Sequence, residues 1–518
     1  MFYNYISNIS RKLFNTLMHR SGFIVNLLAQ EEKERKIFVE RLNKFIDFTQ
    51  TEVDKGVNPG GHYKAVWTRD ASFILKDQFL SGHFKVVLQQ ILLIWSNQII
   101  ATEKTSISLL YCTLKKKPLL YGRGSPEMGF NPIIANDNIT NRFDGALPTT
   151  LYYEKGFCEV YGQNPDIDSI ALMISTTSWI LSKLFDLEDN PSKAEPVITV
   201  SLNERMDNKR ENEIIPFSKF SLNDIINFLL PRMLKAVIYL QNRDIDNDGL
   251  LEQKHNEDWM DTILRIGKVV YSQACWILAL KNFSILLKKI GNKKESKRLE
   301  EMTSRAILAV EDKMWSPKDG CYIDLLDADL HLDEKMHNRL VTQDISLYLV
   351  ALTEGENNDA SYKHVGSLYM KEYSKFENYT GNINLDMYQR GLSTLEVLKK
   401  RAWKNNLPLV TETGITKTGP WLLKTNEYHN HTCWPWITGI EMLARTRFGK
   451  IDDCSFLLSK FVSTEGGVHS NMLCEWVNPL TFQGNGAYPF RTGISSIRIA
   501  AMESLTQKAY NTTMITNN

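Results

Sequence analysis

The sequence has almost no net charge. Lys and Arg total 61 and Asp and Glu total 60, so the formal net charge is +1. Proteins that bind nucleic acid through its phosphates need concentrated positive charge, because that charge displaces the counterions of the backbone. We therefore expect no nucleic-acid partner. A neutral polyhydroxyl ligand suits this charge balance better than a phosphorylated one.

The sequence also lacks paired cysteines and long uninterrupted apolar runs. Its seven cysteines are odd in number and scattered from Cys112 to Cys474, with no pair at the spacing of a metal or redox motif. Basic side chains between Arg11 and Arg20 interrupt what would be the core of a signal peptide, and polar residues break the apolar stretch at 87–100. We therefore expect reduced thiols, a cytoplasmic location and no membrane span.

Strand signals are scarce, and helical periodicity dominates instead. Trp276, Leu280, Phe283, Leu287 and Ile290 follow one another at steps of four and three, which places one apolar stripe along a helix. The same periodicity recurs at 33–49, 72–100, 167–185, 222–241, 295–313, 340–353, 360–372, 384–402, 432–447, 451–462 and 493–507. The pattern predicts about twelve helices and an all-α fold, without the alternation of helix and strand that a parallel sheet requires.

The chain is expected to form one large helical domain. We predict a single catalytic domain at 31–510 and an N-terminal arm or helix at 1–30. The polar stretch at 186–216 contains two prolines and mixed charge, which is typical of a surface excursion. Short alternating pieces at 111–119 and 321–325 predict β-hairpins on one rim of the domain.

Residues that can carry chemistry cluster in loops before the predicted helices. These loops are rich in Trp, Asp, Glu, Gly and His, and they comprise residues 67–70, 142–146, 246–261, 428–436 and 475–490. Hydrolysis of a glycosidic bond needs a protonated carboxyl group for the leaving oxygen, a carboxylate that activates water, and side chains that position the sugar. The loops contain groups of these kinds, so the site is expected there.

The segment Asn256-Glu257-Asp258-Trp259-Met260-Asp261 is the most specific of these patterns. It resembles the Trp-Met-Asp segment of glycogen-debranching amylo-α-1,6-glucosidases. The preceding Asp248-Gly249-Leu250 resembles the Asp-Gly-Leu of the same family. The resemblance implies that Asp261 is the general acid and that Asp258 and Trp259 bind substrate. The alternative for Asp258 is a helix cap.

Two further motifs imply sugar-binding side chains. The stretch from Tyr428 to Trp436 resembles the family's Tyr-His-Asn-Gly-x-x-Trp-Pro-Trp, with His431 in place of glycine. Trp67-Thr68-Arg69-Asp70 resembles its Trp-Gly-Arg-Asp, with threonine in place of glycine. The alternative for Asp70 is a structural ion pair with Arg69. The resemblance implies that substrate is bound by Trp67, Arg69, Asp70, His429, Trp434 and Trp436.

The general base is expected near the C-terminus. Glu475-Trp476-Val477-Asn478-Pro479-Leu480-Thr481 resembles the family's Glu-x-x-(Asn/Asp)-Pro-x-Thr-Gly region, which implies that Glu475 is the base. Phe482 stands where the family often has glycine, and Arg491-Thr492 replaces the usual Trp-(Ser/Thr). An inverting pair requires Asp261 and Glu475 to lie roughly 6.5–9.5 Å apart across one sugar.

One motif is closer to another family. Arg142-Phe143-Asp144-Gly145 resembles the Arg-x-Asp-Gly of glucoamylases, which implies substrate binding by Arg142 and Asp144 and keeps α-1,4 cleavage open. The segment 244–249 imitates the start of a calcium loop, but His255 stands at its twelfth position instead of glutamate. No third ligand accompanies His429 and His431. We therefore expect neither a metal nor a cofactor.

Together the helix count and the motifs predict an (α/α)6 toroid of the six-hairpin glycosidase type. The expected activity is inverting hydrolysis that releases glucose from an oligosaccharide or α-glucan, with amylo-α-1,6-glucosidase favoured. The alternatives are another inverting α-glycosidase of the same fold, such as a glucoamylase, trehalase, mannosylglycerate or glucosylglycerate hydrolase, and a non-catalytic sugar-binding toroid. The sequence leaves the linkage and the oligomeric state open.

Overall fold

The computed structural model describes most of the chain. It covers residue 33 and residues 36–102, 108–113, 131–134, 137–160, 164–188, 221–326, 340–354, 383–415, 423–462 and 468–516. The predicted N-terminal arm at 1–30, most of the excursion at 186–216 and the predicted helix at 360–372 lie outside these residues.

Helices make up most of the described structure. In chain order they are α1 (36–53), α2 (Thr68–Leu80), α3 (Phe84–Ser96), α4 (Asp137–Arg142), α5 (Ile167–Glu188), α6 (Leu222–Gln241), α7 (Val270–Lys289), α8 (Lys293–Lys313), α9 (Ser346–Thr353), α10 (Ile383–Val397), α11 (Pro435–Arg447), α12 (Ile451–Leu458) and α13 (Arg491–Thr516). Short 3-10 turns at Gln343–Ile345 and Ser470–Leu473 and a π turn at Leu398–Ala402 join or extend them.

Six of the helices form a closed inner ring. Going round the ring, α2 packs on α5, α5 on α7, α7 on α9, α9 on α11, α11 on α13, and α13 on α2. The ring is fastened where it closes by an ion pair between Arg498 of α13 and Asp77 of α2, with Nε and Oδ2 2.9 Å apart and both side chains buried. The helices α1, α3, α6, α8, α10 and α12 alternate with the inner ones along the chain. The predicted (α/α)6 toroid is confirmed.

The two layers differ in side-chain pattern. In the inner helix α7 buried residues occur on every face, because neighbouring inner helices cover it on both sides. This helix is long and apolar enough to cross a membrane by composition, but most of it is buried inside the protein. The outer helix α8 is amphipathic, and its buried positions include Leu299, Thr303, Ile307 and Val310 at helical spacing.

Some predicted helices differ from those observed. The stripe at 72–100 is two helices, because the chain turns between α2 and α3 at Gly82, whose φ of +87° suits glycine. Most of the other predicted helices within the described residues lie within a few residues of their expected bounds, and α6 matches its bounds of 222–241. The helix α9 begins six residues later than expected, and α13 ends nine residues later.

Strands are more extensive than expected. In chain order they are β1 (Val66–Trp67), β2 (Ser108–Thr113), β3 (Asn131–Ile134), β4 (Thr150–Tyr152), β5 (Phe157–Val160), β6 (Lys268–Val269), β7 (Trp315–Ser316), β8 (Cys321–Tyr322), β9 (Leu325–Leu326), β10 (Trp403–Lys404), β11 (Leu407–Pro408), β12 (Trp476–Val477) and β13 (Gly484–Asn485). The first five form one sheet in the order β1-β4-β5-β2-β3, in which β2 and β5 are parallel.

Both predicted hairpins differ in detail from the structure. At 321–325 the chain contributes to two separate pairs, because β8 pairs with β7 and β9 pairs with β6. At 111–119 the strand begins earlier, at Ser108, and its antiparallel partner is β3. Residues 114–130 lie outside the described part of the chain.

Candidate active site

A cavity of about 40 Å³ opens at one end of the ring. The residues that line it are Pro59, Tyr63, Trp67, Arg69, Asp70, Trp259, Asp261, Tyr428, His429, Trp434, Trp436, Glu475 and Phe490. Nine of the twelve residues predicted for the site therefore meet in one cavity, although they come from segments more than 400 residues apart.

The inner helices explain why these segments meet. Trp67 precedes α2, the Trp259–Asp261 loop lies before α7, Trp434 precedes α11, and Glu475 lies in the segment before α13. The N-terminal ends of these four helices therefore point to the same end of the ring. Helix N-termini carry unpaired amides and partial positive charge, so this end favours carboxylates and hydroxyl-rich ligands.

Glu475 is held as a hydrogen-bond acceptor. Its Oε1 accepts from the hydroxyls of Tyr63 at 2.7 Å and Tyr428 at 3.1 Å. Its Oε2 accepts from the backbone amide of Ala487 at 2.9 Å. Gly486 packs directly against the carboxylate, and a Cβ at that position would overlap Oε2. The carboxylate is therefore fixed from two sides, and its acceptor role suits a base.

Asp261 lies beside His429 in the same cavity. The Nδ1 atom of His429 is 3.5 Å from Asp261 Oδ1 and 2.7 Å from the hydroxyl oxygen of Thr262. His429 is buried between rings, 4.5 Å from Trp434 and 5.1 Å from Trp259 by ring centroids. The imidazole therefore lies beside the Asp261 carboxyl group, while the hydrogen bond of its Nδ1 atom is with Thr262.

Three tryptophans form an aromatic wall. Trp259 meets Trp434 and Trp436 edge to face, with centroids 5.5 Å and 5.0 Å apart. The indole Nε1 of Trp259 donates to Asp344 at 2.8 Å, and that of Trp434 donates to the backbone oxygen of Tyr428 at 3.0 Å. These bonds leave carbon edges and faces to line the cavity, which excludes water and suits the apolar faces of a sugar ring.

Arg69 and Asp70 enter the cavity next to each other. Arg69 pairs with Asp168 through Nη1 at 3.2 Å, and its Nε lies 3.8 Å from Asp70. Asp70 also accepts from the hydroxyl of Thr492 at 2.6 Å. Burial raises the pKa of Asp70, although Arg69 and Thr492 oppose the shift. Burial lowers the pKa of Arg69, but Asp168 and Asp70 outweigh it, and the pKa lies well above its usual value.

The ion pair with Arg69, which was the alternative role expected for Asp70, is present. Asp70 nevertheless also lines the cavity. Arg69 takes its shorter contact from Asp168, so Asp70 is not needed to hold the guanidinium in place. Both side chains line the cavity and present polar atoms to it.

Asp258 does not line the cavity, contrary to its predicted role. Its carboxylate is buried 3.3 Å from Nη1 of Arg265, and it accepts from Gln253 at 2.9 Å and from the amide of Met260 at 2.9 Å. Burial raises its pKa, and Arg265 opposes the shift. These contacts hold the turn that leads to Asp261.

Arg265 is the centre of a buried charge cluster under the aromatic wall. It contacts Asp324 at 2.7 Å and Asp344 at 2.9 Å in addition to Asp258. Asp344 also receives the indole N–H of Trp259. Burial raises the pKa of Asp324 although Arg265 opposes the shift. The cluster thus anchors Trp259 from below.

Arg142 and Asp144 are also not among the residues that line the cavity, contrary to prediction. Arg142 is exposed, and its Nη2 donates to Asn164 at 2.7 Å. Asp144 is half-buried, pairs with Lys235 at 2.9 Å and accepts from the amide of Ala101 at 2.8 Å. Asp144 ties a loop to a neighbouring helix, so the likeness to the glucoamylase motif is local and does not place these groups in the site.

The acidic loop that resembles a calcium site is held by cationic side chains. Asp244, Asp246 and Asp248 present oxygens that lie within 4.8 Å of one another. The ammonium of Lys268, whose side chain is almost fully buried, lies 2.6 Å from Asp246 and 2.7 Å from Asp248. Arg305 pairs with Asp244 at 3.0 Å. The loop is therefore fastened by the protein's own cations.

Sequence reasoning missed several residues of the cavity. Pro59 and Tyr63 lie outside every motif, and Tyr428 and Phe490 lie within motifs but had no predicted role. Asp168, which pairs with Arg69, lies at the start of a helix, where an aspartate is expected for structural reasons alone. Only the folded arrangement shows that Tyr63 and Tyr428 share one oxygen of Glu475.

Comparisons with known proteins give the fold. No family model and no curated protein matches the chain. The GH63 mannosylglycerate hydrolase from Thermus thermophilus, in complex with Tris, matches with a TM-score of 0.50 at 12% identity, over 89% of this chain and 99% of that chain. A structure described as wild-type glycosidase has a TM-score of 0.48 at 10% identity, over 90% of this chain and 97% of that chain. The chain has the toroid fold of glycoside hydrolases.

Proposed function

We propose that the protein is an inverting glycoside hydrolase that releases a terminal glucosyl unit from an α-glucan or α-glucoside. The observation that carries the proposal is one cavity that contains Asp261, Glu475, an aromatic wall and the Arg69–Asp70 pair. Two carboxyl groups beside one sugar site are what glycosidic hydrolysis requires. The fold shared with glycosidases is compatible with this chemistry but does not by itself assign it.

In the proposed reaction Asp261 is the general acid and Glu475 the general base. Glu475 removes a proton from a water molecule as the water oxygen bonds to the anomeric carbon. The bond from that carbon to the glycosidic oxygen breaks, and Asp261 gives its proton to the departing oxygen. Attack on the face opposite the leaving group inverts the anomeric centre. An α-linked substrate then yields β-glucose.

The surrounding residues support these two roles. Tyr63, Tyr428 and the Ala487 amide orient the base. Arg69 and Asp70 are proposed to bind the outer hydroxyls of the terminal sugar, and Trp259, Trp434 and Trp436 are proposed to cover its faces. His429 lies 3.5 Å from the proposed acid. Such positioning contributes to rate by holding the reacting atoms near their transition-state geometry.

Amylo-α-1,6-glucosidase activity is the preferred form of the proposal. Its support is the resemblance of the segments around Asp261, Trp434 and Glu475 to debranching enzymes. The case for α-1,4 cleavage rested on Arg142 and Asp144, which are not among the residues that line the cavity. A mannosylglycerate-type or glucosylglycerate-type hydrolase is the second candidate, since the matched Thermus thermophilus protein is described as a mannosylglycerate hydrolase.

The proposed setting is the cytoplasm, with an oligosaccharide or α-glucan as the partner. The six cysteines whose side chains the structure describes are free and buried, as a reducing compartment allows. No cofactor enters the proposed reaction, because the two carboxyl groups and water supply every bond that forms or breaks.

A panel of substrates tests the proposal. Branched limit dextrin, isomaltose-type, maltose-type, trehalose and glucosylglycerate-type substrates are incubated with the wild type, and released glucose is measured. We expect release from α-1,6 branch stubs, and its loss in Asp261→Asn. Preference for another α-glucoside would keep the mechanism and change the substrate. No glucose release from any of these substrates by the folded wild type would refute the proposed glucosidase activity.

A further inference from the structure

Asp168 does not line the cavity, but it contacts a side chain that does. It lies in the first turn of α5, its side chain is buried, and its Oδ2 atom is 3.2 Å from Nη1 of Arg69. The same oxygen accepts a hydrogen bond from the hydroxyl of Tyr271 at 3.2 Å. Because Arg69 lies in the first turn of α2 and Tyr271 in that of α7, Asp168 joins three inner helices that follow one another round the ring.

Only one oxygen of the Asp168 carboxylate has hydrogen-bond partners in the described part of the chain. Its Oδ1 atom is buried and accepts no hydrogen bond there. A buried carboxylate with an unused acceptor oxygen destabilises the fold, and the partial positive charge of a helix N-terminus offsets only part of that cost. A neutral side chain of the same shape would avoid the cost. The negative charge is therefore better explained by its effect on Arg69 than by stability.

The contact with Asp168 leaves most of the Arg69 guanidinium available to a ligand. A guanidinium has five N–H donors in a planar fork. With the described residues, that of Arg69 forms one hydrogen bond, from Nη1 to Asp168. Its Nε atom is 3.8 Å from Oδ2 of Asp70, which is too long for a hydrogen bond. The remaining donors can therefore bind a ligand in the cavity that Arg69 lines.

Asp70 offers the complementary kind of atom. Its Oδ1 atom accepts from the hydroxyl of Thr492 at 2.6 Å, and no described residue donates to its Oδ2 atom. The cavity therefore has N–H donors from Arg69 and an acceptor oxygen from Asp70 side by side. A sugar hydroxyl both donates and accepts, so neighbouring hydroxyls of one sugar match such a pair.

We propose that Asp168 is a positioning residue that draws the guanidinium of Arg69 away from Asp70, so that both side chains can bind hydroxyls of the terminal sugar. The inference rests on the proposed hydrolase function, which supplies that sugar. Without the charge of Asp168, Asp70 would be the nearest carboxylate to Arg69. The two would then close into a charge-assisted pair and leave fewer donors and acceptors for a neutral ligand.

Glucose binding tests the inference without depending on turnover. Glucose carries the hydroxyls of the terminal sugar, and its Kd is measured by calorimetry for the wild type, Asp168→Asn and Asp166→Asn. Asparagine at position 168 can place its carbonyl oxygen where Oδ2 lies, which keeps the hydrogen bonds from Arg69 and Tyr271 and removes the charge.

Asp166→Asn is the matched control. Asp166 is buried two residues away and accepts from the hydroxyls of Thr149 at 3.1 Å and Ser169 at 3.2 Å. Burial raises the pKa of Asp166 well above its ordinary value, so an uncharged asparagine is a close substitute for it. The control therefore makes the same chemical change next to Asp168 without removing the charge that contacts Arg69.

For Asp168→Asn we expect the Kd for glucose and the KM for the substrate to rise about 10-fold, the effect of one lost charge-assisted contact. The kcat should stay within about threefold of the wild type, because Arg69 and Asp70 bind outer hydroxyls rather than the reacting atoms. Asp166→Asn should match the wild type in Kd and KM. Thermal unfolding of the same preparations shows that each variant is folded.

A double-mutant cycle separates positioning from a structural role. If Asp168 acts through Arg69, the change Asp168→Asn should have almost no further effect on kcat/KM in a chain that already carries Arg69→Met. A structural role would lower kcat/KM again in that background. The comparison also removes the unpaired guanidinium, so it decides the question even where Asp168→Asn alone fails to fold.

Two results would overturn the inference while leaving the hydrolase intact. One is an unchanged Kd for glucose in folded Asp168→Asn, and the other is a further fall in kcat/KM in the Arg69→Met background. A wild type that does not bind glucose would overturn it as well. Failure of the proposed function looks different, since the wild type would then bind glucose but release none from any substrate, and the Kd values would still test the role of Asp168.

Discussion

Replacement of Glu475 by glutamine separates a catalytic role from a structural one. Glutamine keeps the shape of the side chain but has one acceptor oxygen instead of two. The backbone amide of Ala487 is fixed and must be accepted, so the amide oxygen is expected to face it. The new NH2 group then faces Tyr63 and Tyr428, whose hydroxyls can rotate and accept instead of donating.

The structural cost of Glu475→Gln should therefore be small. Bonds to a charged acceptor become bonds between neutral groups, which weakens each by about 1 kcal/mol. Removal of a buried charge offsets part of this loss. We expect a decrease of about 1–2 kcal/mol in the free energy of unfolding, which corresponds to a few °C at most in a chain of this size. The loss of a general base should lower kcat by about 10²–10⁴.

The assay pairs initial rates of glucose release with thermal unfolding on the same preparations. Glu396→Gln serves as the matched control, because Glu396 is exposed and forms a surface ion pair with Lys450 at 2.8 Å. Such a pair contributes about 0–1 kcal/mol, so the control should keep its rate and Tm. A Glu475→Gln variant that retains a rate within about threefold of the wild type, or loses the folded state, would refute the reasoning.

Two further variants test the packing around Glu475 and the closure of the ring of inner helices. Gly486 has a φ of +77°, and the Cβ of Gly486→Ala would overlap the carboxylate of Glu475. We therefore expect the kcat of this variant to fall at least about 10-fold and its Tm to fall. Retention of full activity would show that the carboxylate of Glu475 is not held rigidly. Burial raises the pKa of Asp77 to about 6 against the opposing effect of Arg498. The folded chain therefore binds the proton of the Asp77 carboxyl group more tightly than the unfolded chain does. The stability that this proton contributes is fully present below about pH 4 and is lost as the pH rises through about 6. The Tm of the wild type minus that of Asp77→Asn should accordingly shrink between about pH 4 and 7, and a difference that grows with pH would be the contrary result.

Most helices could be predicted because their information is local. An amphipathic stripe such as that of α8 is present in about twenty successive residues, and burial against one neighbour is enough to fix it. The parallel pairing of β2 with β5 joins segments nearly fifty residues apart through a few residues each, and no local periodicity reports such a pairing.

Only part of the site could be predicted, because some of its contacts join residues that are far apart in the chain. Asp258 and Asp261 both flank Trp259 in the chain, and sequence spacing does not show which carboxylate faces the cavity. The choice depends on Arg265 and its partners Asp324 and Asp344, which lie far along the chain. Arg142 and Asp144 belong to a short motif that matches a known family. In the folded chain, however, their side chains contact Asn164 and Lys235.

The stereochemistry of the first product tests the central claim most directly. Glucose released from an α-linked substrate is followed by proton NMR of its anomeric hydrogen, within minutes of adding the enzyme and before the anomers equilibrate. An inverting pair of Asp261 and Glu475 predicts that β-glucose appears first and that the α anomer grows in later. Initial appearance of α-glucose would contradict the account, because it would require a retaining mechanism in which one carboxylate bonds to the sugar.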